Sequence, residues 1–152
     1  MDGDERYMAY ALMEAEAARE LGEVPIGAVV VDRDGAVIGR GANARETWGD
    51  PTAHAELIAI RDAARVRGDW RLYGCRLFVT VEPCMMCAGA IVLARLEEVV
   101  YGAANPKGGA IASCARLFEM PGINHAPAVK AGVMGDRCAM IMEAFFRDSR
   151  RR

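Results

Sequence analysis

Four side chains with reactive chemistry stand at short intervals in two apolar runs of this 152-residue chain: His54 and Glu56 in TAHAELIAI, Cys84 and Cys87 in VEPCMMCAGAI. One imidazole and two thiols are borderline and soft donors, the set that suits Zn²⁺ in tetrahedral coordination. Three protein ligands leave a fourth position to water, as in a catalytic rather than a structural zinc site. A zinc so placed brings water toward hydroxide near neutral pH. Glu56 has no Arg in its own helical turn, so its burial is costly unless the carboxylate works. Two residues past the imidazole, it can overhang the metal, take a proton from water, and pass protons to a ring nitrogen and a leaving amine.

Other assignments compete for these residues. A C-x-x-C pair alone serves redox or structural roles as often, and a lone helical His is commonly a plain surface or core residue. A structural Cys₃His zinc, with Cys75 or Cys138 as fourth ligand, is the stronger rival, but it leaves Glu56 without a purpose. Cys75, Cys114 and Cys138 read most simply as small buried hydrophobes.

The elements that must position this group follow from periodicity. Residues 4–21 are rich in Ala, Met, Glu and Leu, with Tyr7, Ala11, Ala18 and Leu21 at helical spacing and Gly22 as a stop. VPIGAVVV and AVIGRGAN are β-branched runs around the turn sequence DRDG, which predicts a hairpin over 24–43. DPTAHAELIAIRDAARVRG carries a start signal at Pro51 and Thr52 and a stop at Gly68, which puts His54 in the first turn of a helix. CRLFVTV predicts a central strand, and Pro83 is suited to begin the helix after it, with Cys84 and Cys87 neighbours on one face. EEVVYGA predicts a fourth strand, NPKGGA a loop, AVKAGV a fifth strand, and residues 136–147 a last helix, with a further helix expected between the last two strands. Strands joined through helices cross over and bury both sheet faces. The expected fold is therefore a three-layer α/β/α sandwich around a mixed five-stranded sheet, one domain over 1–152. Both helix starts then converge on one point, where their dipoles favour thiolates.

Composition excludes several classes. The formal net charge is −2, so attraction to nucleic acid must come from local patches. The clearest patch is FFRDSRRR, with Arg147, Arg150, Arg151 and Arg152 after Phe145 and Phe146. No apolar run approaches the roughly 20 residues of a membrane span. The acidic start MDGDERYMAY does not read as a secretory signal, and five cysteines, an odd number, fit no secreted disulfide framework. The expectation is a soluble cytoplasmic protein with reduced thiols.

H-x-E followed by P-C-x-x-C is the signature of zinc nucleobase deaminases. The chain resembles the bacterial tRNA-specific adenosine deaminases of the cytidine-deaminase-like superfamily. The likeness runs through EVPIGAVVV, DPTAHAE, LFVTVEPCMMCAGAI, VVYGA, NPKGGA, PGINH and the closing FFR. It implies a cytidine-deaminase-like fold, a homodimer, one catalytic zinc per subunit, and hydrolytic conversion of the wobble adenosine of a tRNA anticodon loop to inosine. Carried over by residue, it implies His54, Cys84 and Cys87 as zinc ligands and Glu56 as proton shuttle. Asn43 becomes the base-reading amide, Pro25, Ile26 and Gly27 an apolar pocket floor, and Pro83 a substrate contact beside it. In the family Lys107 and its loop face RNA. Beside that, the arginine tail from Arg147 is expected to draw the polyanion, and Phe145 and Phe146 to pack the last helix onto the domain or to present an aromatic ring to a loop base. The chain departs from the family at Asn105, where an acidic residue is usual near a ribose hydroxyl, and in the run IASCARLFEM after the glycines. Two alternatives stand beside this one: deamination of a free nucleobase or nucleoside (guanine, cytosine or adenine type), and a non-catalytic RNA-binding subunit, which the presence of Glu56 disfavours.

Overall fold

The computed structural model describes residues 2–150. Its sheet has five strands in the order β2-β1-β3-β4-β5, with β1 (Gly27–Val31), β2 (Val37–Ala42), β3 (Arg76–Val81), β4 (Glu98–Ala103) and β5 (Ala128–Ala131). β1 runs antiparallel to both β2 and β3, and β3, β4 and β5 run parallel, so the sheet is mixed with β3 at its centre.

Alternation along the strands sorts the core into two halves, as the period of two requires. Ala28, Val30, Leu77, Val79, Val99 and Tyr101 face one layer, built from α3 (Ala55–Arg67) and α4 (Met85–Leu93). Val29, Val31, Phe78 and Val100 face the other, built from α1 (Gly3–Glu20) and α5 (Gly135–Arg150). Phe78 is fully buried against Tyr7, with ring centroids 5.3 Å apart; burial of such a side chain contributes roughly 1.5–3 kcal/mol. The three-layer expectation holds.

Local signals act where the chain places them. Asp2 caps α1 by accepting the Glu5 N–H at 2.8 Å, and Gly22 (φ +80°) turns the chain out of the helix. Leu21, expected on the buried face, instead sits past the helix end and is exposed. Two expectations about helix starts are corrected by one residue or more. His54 is the N-cap of α3, in extended conformation, and not part of its first turn. Cys84 likewise caps α4, so Pro83 precedes the helix rather than beginning it. The helix expected between β4 and β5 is only a short 3-10 turn, Leu117–Glu119, and a short helix, α2 (Arg45–Trp48), appears where none was expected.

Candidate active site

Close packing of α3 on β2 decides where His54 and Glu56 stand. A Cβ on Gly41 would run into the Ala55 carbonyl and come within 2.7 Å of the Ala59 N–H nitrogen; one on Gly39 would meet Ala59 and Ala63 in the same way. Glycines on the strand and alanines on the helix thus let two backbones touch, and the N-terminus of α3 is seated against the end of β2. β3 delivers the other half. Its last residue leads through Glu82 and Pro83 to Cys84, at the carboxyl end of a central strand, the usual place for an α/β site.

The two helix starts meet. His54 Nδ1 lies 3.6 Å from Cys84 Sγ and 3.5 Å from Cys87 Sγ. A tetrahedral zinc with ordinary Zn–N and Zn–S bonds has an N-to-S edge of about 3.6 Å, so the three donors are spaced as such an ion requires. Among the described residues these three form the one cluster of His, Cys, Asp or Glu side chains close enough to share a metal ion. Cys75 and Cys138 lie outside it, and all five cysteines are unpaired, which removes the four-ligand structural zinc built on either. A hydrogen bond from the Cys87 thiol, helped by His54, holds the Cys84 thiol down at about 3. The same contact, with burial, pushes the Cys87 thiol up. His54 is raised by its bond to Cys84.

Glu56 is 4% exposed and shares the cleft wall with His54 and Cys84. Burial, with the Cys84 charge adding to it, pushes its carboxyl up to about 7. Such a group takes and returns a proton near neutral pH, which is what a shuttle must do.

These residues close one end of a cleft of about 210 Å³. That is below the ~300–1,000 Å³ of sites for drug-sized ligands and suits a single heterocycle. Asn43 and Ile26 line it as expected, and so does Asn105. Asn43 is buried and donates from Nδ2 to the Val24 carbonyl at 3.2 Å, so its amide is held in one orientation. The other expected substrate contacts stand elsewhere. Pro83 is buried behind the cleft wall, its carbonyl accepting the Ala110 N–H at 2.9 Å. Lys107 and Arg147 are exposed and off the wall, and Phe145 packs edge to face on Phe146 at 5.3 Å. Arg151 and Arg152 lie outside the described residues.

Six wall residues were not singled out from the sequence: Val24, Arg45, Ala55, Val81, Glu82 and Met142, the last contributed by α5. Behind them stands Glu23, 1% exposed, whose carboxylate accepts the Glu46 N–H at 3.1 Å, the Thr47 N–H at 2.5 Å and the Thr47 hydroxyl at 2.6 Å, anchoring α2 beside the cleft. Buried acids in EVP and VEPC were the available clue, since a charge inside a fold needs a built partner set.

A three-donor metal cluster at paired helix starts, under a buried carboxylate and beside a base-sized cleft, defines a zinc-dependent deaminase. A family model for the cytidine and deoxycytidylate deaminase zinc-binding region matches residues 1–103. The chain is 47% identical to the tRNA-specific adenosine deaminase of Bacillus subtilis (strain 168) over 152 residues, 100% of this chain and 94% of that one. A structure from studies of A-to-I editing by tRNA:A34 deaminases at the wobble position of transfer RNA superposes with a TM-score of 0.87 at 48% identity, covering 90% of this chain and 98% of that one. The guanine deaminase of Bacillus subtilis is further off, with TM-score 0.64, 37% identity and 82% of each chain covered. The chain belongs to the tRNA-specific adenosine deaminases, within the family of that zinc-binding region.

Proposed function

We propose that this protein converts the wobble adenosine of a tRNA anticodon loop to inosine, releasing ammonia and consuming one water. The observation that carries this is the His54–Cys84–Cys87 cluster with buried Glu56 in a chain that matches a tRNA-specific adenosine deaminase over 152 residues. His54, Cys84 and Cys87 would hold the zinc, which when bound supplies a Lewis acid that makes hydroxide accessible near neutral pH.

The chain's own residues do the rest. Glu56 accepts the proton of the attacking water, delivers one to N1 of the purine as C6 is attacked, and then protonates the amine that leaves C6 as ammonia. Asn43, with one N–H and one lone pair beyond its backbone contacts, reads the edge of an extruded base. Ile26 and Val24 give the ring an apolar wall. Arg45 stands at the cleft, while Lys107, Arg147 and Arg150 are exposed cations for phosphates, so binding weakens steeply with salt. Mass spectrometry of an anticodon stem-loop incubated with zinc-loaded protein detects inosine at the wobble position. A stem-loop left unchanged by fully loaded protein would reject this substrate.

The free-base alternative has one observation in its favour: the cleft is sized for a single heterocycle, and a guanine deaminase is similar at 37% identity. The tRNA deaminases match at higher identity over more of the chain. Guanine, adenine and cytosine assayed beside the stem-loop separate the two.

The reading includes a homodimer formed through α4. Met85 and Leu93 are 68% and 69% exposed, and with half-buried Met86, Gly89 and Ala90 they make one apolar stripe at helical spacing. It also takes residues 1–152 as one catalytic domain and places it in the cytoplasm, where unpaired thiols persist. No helix among the described residues is long and apolar enough to cross a membrane.

A further inference from the structure

Next to the metal cluster the fold buries a second carboxylate that the chemistry above does not use. Glu82 follows the last residue of β3 and is 2% exposed, yet its charge is met by hydrogen-bond donors from one segment rather than by a cation. On Oε1 it accepts the Asn105 N–H at 3.1 Å and the Ser113 hydroxyl at 2.5 Å. On Oε2 it accepts the N–H groups of Ile111 at 3.1 Å, Ala112 at 2.8 Å and Ser113 at 3.0 Å. The donors come from both ends of the segment 105–113, so one carboxylate closes the whole loop around itself. The middle is fitted just as tightly: a Cβ on Gly109 would stand 2.5 and 2.6 Å from the two Glu82 oxygens.

Asn105 is the end of this loop that matters to the cleft, whose wall it shares with Glu82 and Cys84. It also starts the turn that carries Lys107. Its Oδ1 accepts the Gly108 N–H at 3.2 Å and its carbonyl the Gly109 N–H at 2.8 Å. The backbone joins the same two elements, through Glu82 N–H to the Ala103 carbonyl at 2.8 Å and Ala110 N–H to the Pro83 carbonyl at 2.9 Å.

We infer that Glu82 is the positioning residue of the substrate loop: its carboxylate fixes Asn105 at the cleft wall and makes the loop and the Cys84 turn one rigid piece. This deepens the reading above and rests on it, since it takes the 105–113 loop as the part that meets RNA beyond the flipped base. The chemistry of a glutamine replacement makes the inference site-specific. An amide offers one oxygen and one NH₂ where the carboxylate offered two acceptors. Its oxygen can keep the N–H groups of residues 111–113, and the Ser113 hydroxyl can turn to accept from the NH₂. The Asn105 N–H alone is left facing a donor.

The test uses zinc-loaded protein carrying Glu82→Gln, with amide-resolved hydrogen exchange and steady-state kinetics on the anticodon stem-loop. Exchange at Asn105 should accelerate about tenfold or more while Ile111 and Ala112 stay within about threefold of wild type. KM should rise by about tenfold with kcat within about threefold, because the loop grips RNA and does not touch the reacting atoms. Glu82→Asp, which restores the charge, should recover part of the KM, and Ser113→Ala, which removes one donor and leaves the carboxylate intact, should fold and raise KM by less. Unchanged Asn105 exchange in Glu82→Gln overturns the inference, as does a fall in kcat at constant KM. If wild-type protein leaves the stem-loop unchanged, the substrate reading fails separately, and the exchange result still decides whether Glu82 holds Asn105.

Discussion

His54 Nδ1 stands 3.5 Å from Cys87 Sγ although 33 residues separate them in the chain, and the approach is made by backbone packing rather than by long side chains. The glycines of β2 bring α3 down onto the sheet, and β3 ends where α4 begins. A zinc held by His54 at the start of α3 and by Cys84 and Cys87 at the start of α4 would tie two helices of the same layer. Cys87→Ser and His54→Ala should each lower bound zinc from one ion per chain to below about a tenth and abolish deamination, by metal analysis and a stem-loop assay. Chelation of the wild type should lower its unfolding midpoint, since an ion at 1,000 times its Kd contributes about 4 kcal/mol. Zinc retained at one ion per chain by either variant would place the ion elsewhere.

Glu56→Gln separates chemistry from folding. The carboxyl is buried enough to be pushed up to about 7, so a neutral amide of the same shape carries less desolvation cost. Zinc content should match wild type and thermal stability should be equal or higher, while kcat falls by at least about 10²–10⁴. Retention of more than a tenth of the activity would remove Glu56 as the proton carrier.

Much of this was legible in the residue order. His54, Glu56, Cys84 and Cys87 announced a metal centre because few other arrangements tolerate such groups among Ala, Ile and Met. The three layers followed from strands alternating with helices, and Asn43 and Ile26 fell on the cleft as their strand ends required. Other parts were hidden for physical reasons. Helix α2 is four residues long, too short for periodicity to mark; it is held by buried Glu23, 22 or more residues earlier, and no local pattern encodes that. Met142 reaches the cleft from α5, which packs in the α1 layer on one face of the sheet, a fact of tertiary arrangement. His54 and Cys84 were each placed slightly inside their helices, because Pro51, Thr52 and Pro83 mark an approaching start without fixing which residue is the cap.

Glu23 makes stability depend on acid in a definite direction. Burial pushes its carboxyl up, but hydrogen bonds from Thr47 and Glu46 outweigh burial and hold it below its ordinary value of 4.5. A carboxyl lowered on folding contributes stability that is present above its unfolded pKa and lost as pH falls through the folded one. Glu23→Gln should therefore cost about 1–3 kcal/mol near pH 7 and progressively less below about pH 4.5, read as urea midpoints across pH 3–7. A difference that grows on acidification would contradict the sign.

The stripe on α4 offers the last discrimination, between a surface that happens to be apolar and one that joins two copies. Gly89 lies within the stripe and has open space around its Cβ position in the single chain. Gly89→Ala should then stabilise an isolated chain by up to about 1 kcal/mol through helix propensity alone. In a dimer whose helices approach closely at that glycine, the added methyl instead weakens association. Leu93→Glu, at an exposed site that costs a monomer little, should convert the dimer to monomer in sedimentation velocity while leaving zinc content at one per chain. If Leu93→Glu sediments as wild type does, α4 is not the contact. If wild type is already a monomer at micromolar concentration, Met85 and Leu93 are simply a tolerated patch.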